Sequence, residues 1–104
     1  GDLEELTLLA VLRLGEHADG ASIRAELDER AGRPVSVSTI YVTLMRLEEK
    51  GYARSWKGEP TARRGGKARR MYGLTPEGQA ALESVREIRA RMWQGVDPST
   101  VPGA

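Results

Sequence analysis

The sequence predicts a mainly α-helical domain with one small β-hairpin, ordered helix, helix, helix, hairpin, helix. Three observations predict it. Apolar residues recur at helical spacing through residues 3–14, 21–31, 37–50 and 76–94. Between residues 52 and 74 the period changes to two around a Gly- and Pro-containing middle. Stop and start signals fall at the joints, with Gly32 and Pro34, then Gly51, then Thr75-Pro76-Glu77.

Residues 3–14, LEELTLLAVLRL, place Leu3, Leu6, Leu9, Ala10 and Leu14 on one broad face and Leu8, Val11 and Leu12 on the other. A helix apolar nearly all round is buried on two sides. The segment GEHADGAS reads as a turn, and the second helix sets Ile23, Leu27 and Ala31 on one face. In the third helix Ser36 is the expected N-cap and Gly51 the left-handed stop, with Ile40, Leu44 and Leu47 as the core stripe. Ser38, Thr39, Val42, Thr43 and Arg46 are expected to point away from it. Residues 52–57 and 70–74 suit two short strands joined by a long tip. Thr75 then caps a last helix with Pro76 at its first position. Its Gly78, Ala81, Val85, Ile88 and Met92 are spaced as a coiled-coil-like seam.

That order is the plan of a winged helix-turn-helix, in which a third helix is offered to DNA and the hairpin forms a wing. The chain divides into a winged-helix DNA-binding unit over 1–74, a C-terminal dimerisation helix over 75–95 and a disordered tail over 96–104. With 104 residues, no Phe, three Tyr, two Trp and no Cys, the core is small and nothing covalent reinforces it. A homodimer is the expected way to bury more apolar surface.

Charge is unevenly spread. Residues 52–72 hold Arg54, Lys57, Arg63, Arg64, Lys67, Arg69 and Arg70 against the single acid Glu59. That segment carries +6 within a chain of net charge +1, leaving −5 elsewhere. A near-neutral total therefore conceals a local positive patch. No apolar run approaches the roughly 18 residues of a membrane span, so a cytoplasmic protein with no membrane partner is expected.

The stretch STIYVTLMRLEEKGY, a basic loop, and RRMYGLTPEGQAAL together resemble the PadR family of bacterial transcriptional regulators. Its third-helix pattern matches Thr39, Ile40, Tyr41, Leu44, Leu47, Glu48 and Gly51. The wing-exit pattern matches Arg70, Tyr72, Leu74, Thr75 and Gly78, and the resemblance covers residues 3–94. It implies a repressor that dimerises through its first and last helices. Two departures stand out: Gly20 is followed by Ala21 where the family usually has Gly-Tyr, and Val37-Ser38 replaces a frequent Pro-Gly.

Double-stranded DNA is the expected partner. Arg63, Arg64, Lys67, Arg69 and Arg70 would neutralise phosphates from the wing, while Ser38, Thr39, Val42 and Thr43 are short enough to let the helix approach base edges. Tyr41 and Arg46 would donate to phosphates; Tyr41 could equally be half-buried packing, and Arg46 could pair with Glu49. Leu3, Leu6, Ala81, Val85, Ile88 and Met92 are the expected dimer contacts, although the last helix's seam could also pack on its own domain. Trp93 and its two-fold copy would line a cleft for a small-molecule effector, or serve only as interface packing. A winged module that binds protein, or senses a small molecule without reading DNA, is the alternative.

Catalysis, cofactors and metals find no support. His17 lacks ligand-like spacing to any partner, and GGKA lacks the Ser or Thr and the upstream Gly of a phosphate-binding loop.

Overall fold

Each joint of the chain is set by a residue suited to ending or starting an element. In the computed structural model, which describes residues 1–60 and 68–100, four helices flank one antiparallel hairpin. They are α1 (Asp2–Leu14), α2 (Gly20–Ala31), α3 (Val37–Glu49), β1 (Ala53–Pro60), β2 (Ala68–Leu74) and α4 (Pro76–Trp93), with 3-10 turns at Gly15–His17 and Pro98–Thr100. Asp19, Ser36 and Thr75 cap α2, α3 and α4 by accepting from the backbone N–H of Ser22, Thr39 and Gly78 at 2.8, 3.1 and 3.0 Å. Gly51 turns the chain after α3 at φ 79°, a left-handed geometry that favours glycine.

The strands run further than the alternation alone predicts. They pair from Ala53↔Leu74 to Lys57↔Arg70, then shift register before Pro60↔Ala68. The segment read as a plain turn before α2 also joins the hairpin. Tyr72 N–H donates to the Ala18 carbonyl at 2.8 Å, and Asp19 bridges Met71. The wing is thereby tied to the helical body along β2.

Two adjoining apolar clusters hold the body together. One gathers Ala10, Val11, Ala18, Ile23, Leu27, Ile40, Leu44 and Tyr72; the other gathers Leu8, Leu47, Ala53 and Leu82, and Leu74 touches both. Burying each of Ile23, Leu27, Ile40, Leu44 and Leu47 contributes about 2 kcal/mol.

The faces of α1 differ from expectation. Thr7, Leu8, Ala10 and Val11 are buried, and Leu3 and Leu6 lie half-buried against the domain's own core. Leu9 and Leu12 are the apolar residues left exposed. The reason is that α1 is central, in contact with α2, α3, β2 and α4 along one broad arc that leaves a single side open.

The seam of α4 divides in the same way. Gly78 is buried, Ala81 and Val85 line a crevice against α1, and Leu82 enters the second cluster. Ile88 and Met92 remain exposed, as do Trp93 and Val96. Within the expected tail, Asp97 accepts from Ser99 N–H at 3.0 Å inside the final 3-10 turn, and residues 101–104 lie outside the described residues.

One corner joins α3, β1 and α4. Thr75 N–H donates to the Tyr52 carbonyl at 3.1 Å, Thr75 Oγ1 donates to the Gly51 carbonyl at 2.6 Å, and Tyr52 N–H donates to the Leu47 carbonyl at 2.9 Å. Gly78 faces the Tyr52 carbonyl oxygen so closely that a Cβ there would overlap it. Because the obstacle is backbone, it cannot swing aside. Gly78→Ala is therefore expected to destabilise the fold by about 3 kcal/mol, whereas Ala80→Gly, on the exposed side of the same turn, costs only about 1 kcal/mol. Thermal melts of the two variants check this; equal melting temperatures would contradict the packing described.

Candidate nucleic-acid interface

At about 100° per residue, α3 turns one side to the core and leaves the other open. Ile40, Thr43, Leu44 and Leu47 are buried. Opposite them stand Ser38, Val42 and Met45, flanked by Thr39 and Arg46 on one side and by Val37 and Tyr41 on the other. Thr43 is thus misplaced by the sequence reading. It projects only about 40° from Leu47 and about 60° from Ile40, is 5% exposed, and its hydroxyl donates to the Thr39 carbonyl at 2.8 Å. Val37 and Met45, 50% and 53% exposed, were missed, although Met45 follows Ser38 by seven residues and so shares its face. Arg46 is exposed, and among the described residues no ion pair joins it to Glu49.

Tyr41 is half exposed and lies over the start of α2. A Cβ on Gly20 would sit 2.7 Å from the Tyr41 hydroxyl and 2.9 Å from its Cζ. Glycine is what lets this ring rest there. Behind it, burial raises the Tyr72 phenol above its ordinary value, with Tyr41 and Glu48 acting in the same direction and Arg70 opposing them. Tyr72 shares the first core cluster with Ile40 and Leu44, which sets β2 beside α3.

On the wing, Lys57 and Arg70 are directly opposed across the ladder, both exposed, with Arg70 Nε donating to Ser55 Oγ at 3.1 Å. Like charges in that position destabilise a hairpin. Arg69 does not reach outward with them. It is half-buried, and its Nη1 lies 3.4 Å from Oδ2 of the buried Asp19. Trp56 covers the hairpin, its ring against Gly73 and the Arg54 guanidinium 4.5 Å above it. Arg63, Arg64 and Lys67 lie outside the described residues.

A second open surface runs along α1 and α4. Glu5, Leu9, Leu12, Leu82, Arg86 and Arg89 line a groove of about 440 Å³, closed at one end by the 2.9 Å pair of Arg89 with Glu5. Trp93, 60% exposed, projects on the same side of α4 as Leu82 and Arg86, whereas the exposed Ile88 and Met92 project on the side of Ala81 and Val85.

Among the described residues, no group of His, Cys, Asp and Glu could hold a metal, and no helix is long and apolar enough to cross a membrane. The model of the PadR-like transcriptional regulator family matches residues 8–84. The chain belongs to that family. Solved PadR family regulators from Clostridium difficile and Eggerthella lenta are similar to it, at 26% and 27% identity, each with a TM-score of 0.68. Each comparison covers 90% of this chain, and 88% and 81% respectively of the other. PadR of Bacillus subtilis, solved in complex with operator DNA, shares the fold at 20% identity and a TM-score of 0.64, over 91% of this chain and 60% of that one. Comparison with curated sequences gives no significant match.

In this PadR-like chain the glycine before Ala21 is accounted for by Tyr41. A methyl at position 20 would meet the far end of an exposed side chain, which can move. Gly20→Ala is accordingly expected to cost less than about 1 kcal/mol while displacing the Tyr41 ring, seen as altered Tyr41 ring resonances. A large loss of stability with those resonances unchanged would show instead that the ring is locked in place.

Proposed function

We propose that the protein is a homodimeric, sequence-specific DNA-binding regulator of the bacterial cytoplasm, a repressor and not an enzyme. Each copy sets α3 in a major groove and its wing against the backbone or minor groove. The two half-sites form an imperfect palindrome, roughly 34 Å apart. One observation carries this reading: an open helix face without an acid before Glu48 adjoins a hairpin on which Lys57 and Arg70 oppose each other. Their repulsion costs stability in the free protein and is relieved by phosphate. The complex of Bacillus subtilis PadR with operator DNA supports the same assignment.

Phosphate contact falls to Arg70, Lys57 and Arg46, with Tyr41 at the edge of α3, and Arg63, Arg64 and Lys67 add their charge to it. Arg69 acts by bracing the wing on Asp19. Ser38, Thr39 and Val42 face the bases. Dimerisation uses the apolar residues the fold leaves open, Leu9 and Leu12 on α1 and Ile88 and Met92 on α4, and Leu3, Leu6, Ala81 and Val85 support it from within each copy. Trp93 packs in that interface, where a cleft for a planar apolar effector would need the partner's copy. Repression follows from a bound dimer obstructing a promoter.

The exposed apolar residues of α3 also suit a module that binds protein, and salt separates the two readings. Affinity for duplex DNA should fall steeply as salt rises, and Lys57→Ala and Arg70→Ala should each reduce the slope by about one. Affinity indifferent to salt, or no binding to any duplex, would sink the DNA reading. Leu12→Glu is expected to shift the sedimenting species from dimer to monomer; an unsubstituted protein that sediments as a monomer overturns the dimer.

A further inference from the structure

We propose that α3 reads thymine, with Val42 and Met45 at the centre of its open face packing on the C5-methyl groups of thymines in the major groove. Val37 adds a third apolar contact at the edge. The inference rests on the DNA-binding reading above and names what that same site selects.

The chemistry of the helix narrows the choice. Arg and Lys recognise guanine, Asn and Gln recognise adenine, and Asp and Glu accept from the cytosine amino group. None of these six types occurs between Val37 and Met45, and the first charged residue of the helix is Arg46. The hydroxyls of Ser38 and Thr39 can donate or accept and so discriminate little. What the face offers instead is apolar surface: Val37, Val42 and Met45 are 50%, 41% and 53% exposed. The core side of the helix is already complete with Ile40, Leu44 and Leu47. Among base edges in the major groove, the thymine methyl is the apolar group that such side chains can cover.

Placement favours a duplex as the occupant. Ser38 beside Val42 is small enough to let the helix backbone come close. Glu48 and Glu49 end α3 with two acids, which keeps that end away from phosphate and favours entry of the helix as far as Met45. Lys57 and Arg70 of the neighbouring wing supply the complementary charge along the backbone.

The test uses the full chain and duplexes selected by it from a random pool. Each thymine of a selected half-site is replaced by uracil, which removes the methyl and leaves pairing and backbone charge intact. Affinity is read by fluorescence anisotropy at fixed salt. Selected half-sites are expected to carry thymine at two or more positions, and uracil there should weaken binding roughly fourfold for each covered methyl, the transfer free energy of one methylene group. Val42→Ala and Met45→Ala should each abolish discrimination at one position while leaving the salt slope unchanged. Salt-dependent binding that treats thymine and uracil alike overturns this inference and leaves the DNA reading standing. Discrimination that survives both substitutions also overturns it, because other groups would then read the methyl. Failure to bind any duplex removes the DNA reading and this inference with it.

Discussion

The rest of the structure depends on the contact between Gly78 and the carbonyl of Tyr52. At that point α4 approaches the backbone more closely than any side chain would permit. The approach seats Leu82, one turn further along, among Leu8, Leu47 and Ala53. It also brings Thr75 within reach of both Gly51 and Tyr52, so one residue caps α4 and satisfies a carbonyl beyond the end of α3. The end of α3, the start of β1, the end of β2 and the start of α4 therefore meet in one hydrogen-bonded corner. None can shift without breaking bonds made by the others.

A second tie holds the far side of the hairpin. Asp19 caps α2 through Ser22, pairs its backbone with Met71 and faces Arg69, so a carboxylate only 4% exposed is bonded and matched in charge. A buried charge persists only under such conditions. Elsewhere the acids of α1 are neutralised across the surface: Asp2 by Arg33, Glu4 by Lys50 and Glu5 by Arg89. The Lys50 bond, reinforced by its charge, holds the Glu4 carboxyl below its ordinary range. Exposed pairs of this kind add only about 0–1 kcal/mol each. Their larger consequence is spatial, since they quench charge on the helical body while Lys57 and Arg70 stay opposed on the wing.

Element boundaries were legible because caps and left-handed glycines act locally. Ser36, Gly51 and Thr75 signal their roles within four residues, whatever the remainder of the chain does. Thr43 is expected to point outward, yet helical geometry alone sets it about 40° from Leu47 and about 60° from Ile40, at the edge of the buried stripe. The faces of α1 were not legible. An apolar helix of this kind has no preferred azimuth, and only packing against four other elements decides that Thr7 is buried while Leu9 and Leu12 are open. Arg69 shows the intermediate case. Alternation puts it on the same strand face as the buried Met71, which hints at an inward direction, but its partner Asp19 is 50 residues away in sequence. Close approach of the segment before α2 to β2 creates that pair, and no local pattern announces it.

The apolar residues left open on α4 acquire meaning from the same corner. From Gly78 to Met92 the helix rises about 21 Å, so Met92 and Trp93 lie beyond Arg89, which still pairs with Glu5 of α1. The proximal half is fixed by a backbone contact with no slack, by the Thr75 cap and by Leu82. In a dimer built through the distal half of α4, the angle at which two such helices cross would set the separation of the two α3 faces. The glycine that makes the fold compact would then also carry the geometry of the interface to the open face of α3.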